Sequence, residues 1–245
     1  MNPPKNPATN KNKRILIVGA QHGDERLGPR LNRFLKSDTT GRFKNVDYLC
    51  GNPRAFRRNV RFTETDLNRS YDTLPAVSYE EKRAQKILRI IAAGNYDYVL
   101  DIHTSRADVG RFFLATHLQG PVARVIGASN FGRVAIMPPH IAGCSLIGQV
   151  PQAISVEYDR RLARTQQTLK ELVMLLENLL AGKTTPQKRD IFYVKEKIPL
   201  HSSISYDAKN FELCPEGFYP VIFARNSSYT AYKGFAAYEK DTRTM

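Results

Sequence analysis

The chain has 245 residues, of which 42% are hydrophobic and 24% are charged, and this composition is typical of a globular protein with a sizeable core. Its 37 basic residues outnumber its 23 acidic residues, so the formal net charge is +14. A charge of this size fits a nucleic-acid partner, an anionic small substrate or simply a basic surface, and it does not choose among them. No apolar run approaches the ~20 residues of a membrane-spanning helix, so we expect no membrane partner.

The distribution of particular residue types narrows these options. Residues 1–13 are polar and proline-rich and lack the apolar segment of a secretory signal, so they are predicted to form a disordered tail. Cys50, Cys144 and Cys214 are widely spaced and odd in number, which favours buried free thiols and a cytoplasmic location. Basic residues are spread along the chain without a zinc-finger or RNP-like motif, so nucleic acid is not expected to be the main partner.

Residues 14–182 alternate between apolar, β-branched runs and stretches with apolar residues at helical spacing. In chain order, the predicted elements are a strand at 14–19, a helix at 27–36, a strand at 46–50, a loop at 51–69, a helix at 78–94, strands at 96–103 and 111–116, a helix at 121–129, strands at 133–137 and 153–158, and a helix at 160–181. The helix at 78–94 has the clearest start, because Ser78 and Glu81 form a capping box. The last helix is predicted to end at Gly182.

This alternation predicts an α/β protein with a three-layer α/β/α architecture, in which helices cover both faces of a mixed, largely parallel sheet. The pattern changes after Gly182, where residues 184–188 read as a linker. Short strands are then predicted at 191–199, 210–214 and 219–225. We therefore expect an α/β domain at 14–182 and a small, β-rich C-terminal region at 183–245.

A candidate metal site follows from three residues at the carboxyl ends of predicted strands. His22 and Glu25 lie in the turn after the first strand, and His103 ends the strand at 96–103. Catalytic zinc is commonly held by two histidines and a carboxylate, with a fourth position left for water. The alternative is a polar surface turn with a core histidine satisfied by hydrogen bonds. Three such residues at strand ends, where α/β sheets place ligands, favour the zinc site.

Further polar residues point to substrate binding and proton transfer. Asn68 and Arg69 are suited to clamp a substrate carboxylate, because arginine pairs with carboxylates in a bidentate manner. An arginine near the metal would stabilise developing oxyanion charge. The alternative is that the arginines of residues 54–61 form one solvated basic loop. Glu157 ends a predicted buried strand, where a carboxylate is either a general base or part of a salt bridge at the rim.

Five segments occur in an order that resembles the succinylglutamate desuccinylase and aspartoacylase family, relatives of the zinc carboxypeptidases. The segments are residues 19–25, 52–55, 66–69, 101–104 and 156–157. The resemblance implies the zinc carboxypeptidase type of α/β/α fold with a smaller C-terminal β domain. It also implies one Zn²⁺ per chain, held by His22, Glu25 and His103.

The same resemblance assigns roles to the remaining candidates. Glu157 corresponds to the general base that takes a proton from zinc-bound water, and Arg61 to the arginine that polarises the acyl carbonyl. Asn68 and Arg69 correspond to the pair that holds the substrate carboxylate, and Tyr229 is the nearest match to a tyrosine that completes the pocket. One departure concerns the arginine with which aspartoacylase reads the aspartate side chain, about ten residues before the glutamate. This chain has no lysine or arginine from Pro138 to Val156.

The sequence thus predicts a zinc-dependent amidohydrolase that cleaves the amide bond of a small, anionic N-acyl amino acid. One alternative is a carboxypeptidase-like peptidase that uses the same metal set on a peptide or cell-wall fragment. Another is a basic nucleic-acid-binding protein built on a degenerate hydrolase scaffold. The acyl group, the amino-acid side chain and the oligomeric state stay open at this stage.

Overall fold

The computed structural model describes residues 13–205, 207–224 and 231–245. Most of the predicted N-terminal tail therefore lies outside the described residues. The strands are β1 (Ile15–Gly19), β2 (Val46–Cys50), β3 (Tyr98–Ser105), β4 (Arg111–Ala115), β5 (Arg133–Ile136), β6 (Ala153–Asp159), β7 (Lys188–Pro199), β8 (Tyr219–Val221) and β9 (Tyr232–Thr244). They form one sheet in the order β2-β1-β3-β6-β4-β5-β7-β9-β8. The pairings β4–β6, β7–β9 and β8–β9 are antiparallel and the others are parallel.

Helices cover both faces of this sheet. The helices are α1 (Leu27–Lys36), α2 (Pro53–Arg58), α3 (Tyr79–Gly94), α4 (Gly120–Gly127), α5 (Pro139–Ala142), α6 (Leu146–Gln149) and α7 (Gln166–Ala181). Apolar side chains of α1, α4 and α7 pack on one face, in a cluster with Ile17, Leu100 and Val156. The other face carries α3 and α6, which pack on Leu16 and Val99. The predicted three-layer arrangement with a mixed, largely parallel sheet is confirmed.

Local chemistry explains where the two long helices begin and end. At α3, the side chain of Ser78 accepts a hydrogen bond from the backbone of Glu81, and the Glu81 side chain accepts one in return from the backbone of Ser78, so the predicted capping box is present. At α7, Thr165 accepts from the Thr168 backbone and the helix ends at Gly182, which adopts a left-handed conformation. None of the helices within the described ranges is both long and apolar enough to span a bilayer.

Several predicted boundaries are wrong. Helix α7 starts at Gln166 rather than at residue 160, because the Asp159 carboxylate accepts from the backbone of Arg161 and Leu162 and holds a 3₁₀ turn there. The predicted loop at 51–69 contains α2 and a second 3₁₀ turn, Leu67–Arg69. Residues 210–214 are not a strand, and the backbone at Phe211 has a φ of 67°.

The C-terminal region contributes strands to the edge of the main sheet. Strand β7 pairs with β5 in parallel and with β9 in antiparallel orientation, so β7, β9 and β8 continue the sheet formed by the first part of the chain. The 13-residue strand β9 was not predicted. We propose that a domain boundary lies between residues 182 and 183. The β-rich character of the described part of 183–245 agrees with the prediction.

Candidate metal centre and cleft

The register of β3, β6 and β4 brings polar side chains together on one face of the sheet. His103 on β3 lies beside Glu157 on β6, and Asp101 lies beside Ser155. Because side chains alternate between the two faces of a strand, all four point to the same side. Leu114 on β4 is directly opposite Ser155 and points to this side as well.

The turn after β1 supplies the other two members of the predicted metal set. His22 and Glu25 lie on a tight turn whose Gly23 packs against the start of α2. A Cβ atom at residue 23 would lie 2.2 Å from the backbone carbon of Ala55, so only glycine fits there. The Gly23 N–H also donates to the carbonyl oxygen of Arg61, which fixes the turn relative to the following loop.

The three predicted ligands converge. One Glu25 oxygen lies 2.7 Å from His22 Nδ1, and the other lies 3.2 Å from His103 Nδ1. One ligand atom from each residue lies within 4.8 Å of the others, and all three side chains are buried. Two imidazole nitrogens and one carboxylate oxygen form the donor set of many catalytic zinc sites. The chemistry of these residues therefore fits a zinc ion.

The second nitrogen of each histidine is bound by a further carboxylate. His22 Nε2 lies 3.1 Å from Asp66 Oδ1, and His103 Nε2 lies 2.9 Å from Asp101 Oδ2. Carboxylates in this position orient metal-binding imidazoles and fix their tautomers. Here they direct both Nδ1 atoms towards Glu25. Sequence reasoning missed these two residues as functional, although Asp101 precedes His103 at the two-residue spacing that puts both on one face of a strand.

Electrostatics at the three residues also suit a divalent cation. Burial alone would lower the pKa of each histidine, but the neighbouring carboxylates have a larger, opposite effect. The pKa of His22 is therefore raised, and that of His103 is raised well above its usual value. Despite burial, the two histidines hold the pKa of Glu25 well below its ordinary range. The site thus concentrates negative charge around the imidazoles, and a divalent cation would neutralise that charge.

Glu157 lies within β6, close to the metal set. Its side chain is buried, and one carboxylate oxygen accepts a hydrogen bond from Ser155 Oγ at 3.1 Å. Burial raises the pKa of Glu157 above its ordinary value. A carboxylate whose pKa is raised towards neutrality is better matched to accept and return a proton during a reaction.

The predicted substrate-binding residues line the same cleft. Arg61 donates to Asp66 Oδ2 at 2.9 Å, so Asp66 connects this guanidinium to His22. Asn68 Oδ1 accepts from the backbone N–H of Leu146, and Arg69 donates to the hydroxyl of Tyr232 at 2.8 Å. Tyr229, the predicted pocket tyrosine, lies outside the described residues.

The cleft and its open mouth together contain about 780 Å³ of space that is not filled by protein atoms. Its charged and polar lining consists of His22, Glu25, Arg61, Asn68, Arg69, Asp101, His103, Thr104, Ser105, Arg106, Ser145, Ser155, Glu157 and Arg160. Its apolar lining consists of Leu114, Met137, Ile141, Ala142, Ile147, Ile222 and Phe235. All described residues that the sequence predicted for the site therefore border one cavity. Tyr232 and Arg160 were not predicted, because nothing in the sequence near them shows which part of the fold they approach.

Sequence comparison finds similar proteins over part of the chain. The chain is 34% identical over 112 residues to a protein of Acaryochloris marina named "Probable aspartoacylase", an alignment covering 42% of this chain and 38% of the relative. It is 31% identical over 112 residues to an N-acyl-aromatic-L-amino acid amidohydrolase of Xenopus tropicalis, covering 41% of this chain and 36% of the relative. The aligned stretch thus spans less than two fifths of either relative's length.

Structural comparison extends over nearly the whole chain. Murine aminoacylase 3 superposes with a TM-score of 0.73 at 19% identity, covering 95% of this chain and 97% of that chain. At this identity the likeness shows a shared fold. Fold and cleft together define an α/β protein with the donor set of a metallohydrolase. The sequence family defined by the succinylglutamate desuccinylase/aspartoacylase catalytic domain matches residues 11–137 of this chain, which is just over half of its 245 residues. The chain belongs to this family.

Proposed function

We propose that the protein is a zinc-dependent amidohydrolase that converts an N-acyl amino acid into a carboxylate and a free amino acid. The observation that carries this proposal is the convergence of His22, Glu25 and His103 beside Glu157 in one cleft. Family membership supports hydrolysis of an amide, because the aligned relatives are named as an aspartoacylase and an N-acyl-amino acid amidohydrolase. The same cleft supplies guanidinium groups for an anionic substrate.

The three ligands would hold the zinc ion, and the carboxylates of Asp66 and Asp101 would keep both imidazoles in their binding tautomers. When bound, zinc supplies Lewis acidity and lowers the pKa of a coordinated water to about 7. Glu157 takes the proton of the attacking water and delivers it to the leaving nitrogen. Ser155 orients Glu157 for this transfer by donating to one of its oxygens.

The arginines bind and polarise the substrate. Arg61 is held by Asp66 and directs its guanidinium to the acyl carbonyl oxygen, where negative charge develops. Arg69 and the amide nitrogen of Asn68 bind the α-carboxylate of the amino-acid half. Leu146 and Tyr232 fix this pair from two sides, so it is preorganised for a planar anion.

A substrate panel tests the proposal. Zinc-loaded protein should hydrolyse N-acetyl amino acids faster than di- and tripeptides. Converting the α-carboxylate of the best substrate to a carboxamide should lower kcat/KM at least about 100-fold, because the half-buried guanidinium of Arg69 then loses its charged partner. Glu157→Gln should lower kcat about 100- to 10,000-fold with zinc still bound. Full activity of Glu157→Gln, or a preference for peptides over every N-acyl amino acid, would contradict the proposal.

A further inference from the structure

One wall of the cleft is a continuous apolar surface, which we call the apolar chamber. It is formed by Leu114, Met137, Ile141, Ala142, Ile147 and Phe235. Met137, Ile141, Ala142 and Phe235 belong to one packed cluster. Leu114 packs against that cluster and also against the cluster that contains Ile147, so it joins the two parts of the wall. These side chains are provided by β4, α5, α6, β9 and Met137, the residue that follows β5.

The chamber lies directly beside the pair that we propose to bind the α-carboxylate. Asn68 accepts a hydrogen bond from the backbone of Leu146, the residue next to Ile147. On the other side, Arg69 donates to Tyr232, whose ring lies 5.3 Å from the ring of Phe235. In an amino acid, the side chain and the carboxylate share one carbon atom. The side chain of a substrate held by Asn68 and Arg69 therefore has the chamber as its neighbour.

The chamber wall carries no charged side chain among the residues that the structure describes. The segment from Pro138 to Val156, which supplies α5 and α6, has neither lysine nor arginine. Two further arginines of the cleft lie elsewhere: Arg106 and Arg160 follow the carboxyl ends of β3 and β6 and approach Asp24 at 3.7 Å and 2.5 Å. Leu114 instead lies opposite Ser155, on the amino-terminal side of Glu157 along β6. A carboxylate in the chamber would lose its hydration without gaining a cation.

We propose that the apolar chamber receives the amino-acid side chain of the substrate and selects an uncharged apolar side chain, of the leucine, methionine or phenylalanine kind. This inference rests on the proposed deacylase function. The substrate would then be anionic through its α-carboxylate alone. Arg61 binds the acyl carbonyl and Arg69 binds the α-carboxylate. The chamber determines which amino acid is accepted, because it buries the apolar surface of the side chain.

A matched series of N-acetyl amino acids tests the chamber. The value of kcat/KM for N-acetyl-leucine and N-acetyl-methionine should exceed that for N-acetyl-glycine about 10- to 200-fold, and N-acetyl-aspartate should be the poorest of the four. If N-acetyl-aspartate is preferred, the chamber proposal is wrong while the deacylase function stands. If only peptides are hydrolysed, the proposed function fails. The binding of N-acetyl-leucine and N-acetyl-aspartate to Glu157→Gln, measured by calorimetry, tests the chamber proposal independently of turnover. Tighter binding of the aspartate derivative, or equal binding of the two, would overturn the proposal.

A substitution with a matched control assigns the selectivity to the chamber itself. Ile141→Ala should reduce the ratio of kcat/KM for N-acetyl-leucine to that for N-acetyl-glycine several-fold, because it removes apolar contacts to the larger side chain only. Ile91→Ala changes an equally buried isoleucine on α3 that does not line the cleft, and it should leave the ratio unchanged. The ratio is independent of the fraction of folded enzyme. An unchanged ratio in Ile141→Ala, or an equal change in both variants, would contradict the inference.

Discussion

Asp101, whose carboxylate accepts a hydrogen bond from His103, offers a test of how the metal-binding residues are organised. Asp101 Oδ2 accepts two hydrogen bonds, from His103 Nε2 at 2.9 Å and from Gln21 Nε2 at 2.7 Å, and Tyr71 in turn donates to Gln21. Asp101 Oδ1 makes no hydrogen bond to any described residue. In Asp101→Asn the amide oxygen can take the place of Oδ2 and the amide nitrogen that of Oδ1. The geometry is then kept while the negative charge is removed.

The expected loss follows from what such carboxylates contribute. A metal-binding histidine often donates its second ring N–H to a carboxylate. Removing that carboxylate typically lowers metal affinity or activity about 10- to 100-fold. This corresponds to about 1.4–2.7 kcal/mol of binding free energy, since each tenfold change is worth about 1.4 kcal/mol. Asp101 is fully buried, so the upper part of this range is expected.

Zinc affinity is measured by competition with a chromogenic chelator. The control is Asp47→Asn: Asp47 also accepts from two donors, Arg14 and Tyr96, but lies on β2, and its side chain is 45% exposed. We expect Asp101→Asn to weaken zinc binding at least about tenfold and Asp47→Asn to leave it unchanged. Wild-type affinity in Asp101→Asn, in protein that is folded by circular dichroism, would refute the role of this carboxylate.

Two further predictions concern the turn that carries the ligands and a buried arginine. Gly23→Ala should abolish zinc-dependent activity, because the new Cβ would overlap the backbone of Ala55, whereas Gly132→Ala meets no atom within 4 Å and should behave as wild type in the same assay. Activity in Gly23→Ala close to that of Gly132→Ala would mean that the turn tolerates a shift. Arg189 is fully buried and donates to the carbonyl oxygens of Ile126 and Ser129 at 2.9 and 2.8 Å. Arg189→Met should therefore lower the free energy of unfolding by about 3 kcal/mol or more in urea titration. Arg243→Met, at an exposed pair, should change it by less than about 1 kcal/mol, and similar losses in the two variants would show that the buried hydrogen bonds are not stabilising.

The strand and ligand pattern could be predicted because it depends on local sequence. Apolar runs identified eight of the nine strands that the structure describes, β1 to β8; His22 and Glu25 follow β1, and His103 lies near the end of β3. Parallel strands meet at a common edge of the sheet, so placing these residues at strand ends was enough to predict their convergence. The capping box at Ser78 could also be predicted from the sequence, since both of its hydrogen bonds are made within four residues.

Long-range contacts were not predictable in the same way. The bonds of Asn68 to Leu146 and of Arg69 to Tyr232 join residues 78 and 163 positions apart, and no periodicity encodes them. Strand β9 was missed because its second half, Tyr238 to Thr244, is polar and largely exposed, although residues 239–244 pair with Lys188–Tyr193 of β7. The apolar chamber needed the structure, because it combines segments that are far apart in the sequence.

The proposed function depends on the binding of one divalent cation by His22, Glu25 and His103 together. Its most direct test is a zinc titration of metal-free protein, followed by calorimetry, for the wild type and for Glu25→Gln. We predict one zinc ion per wild-type chain and a loss of that binding in Glu25→Gln, because the Glu25 carboxylate contacts both imidazoles. A wild-type chain that binds no zinc, or a Glu25→Gln variant that binds it with unchanged stoichiometry and affinity, would contradict it.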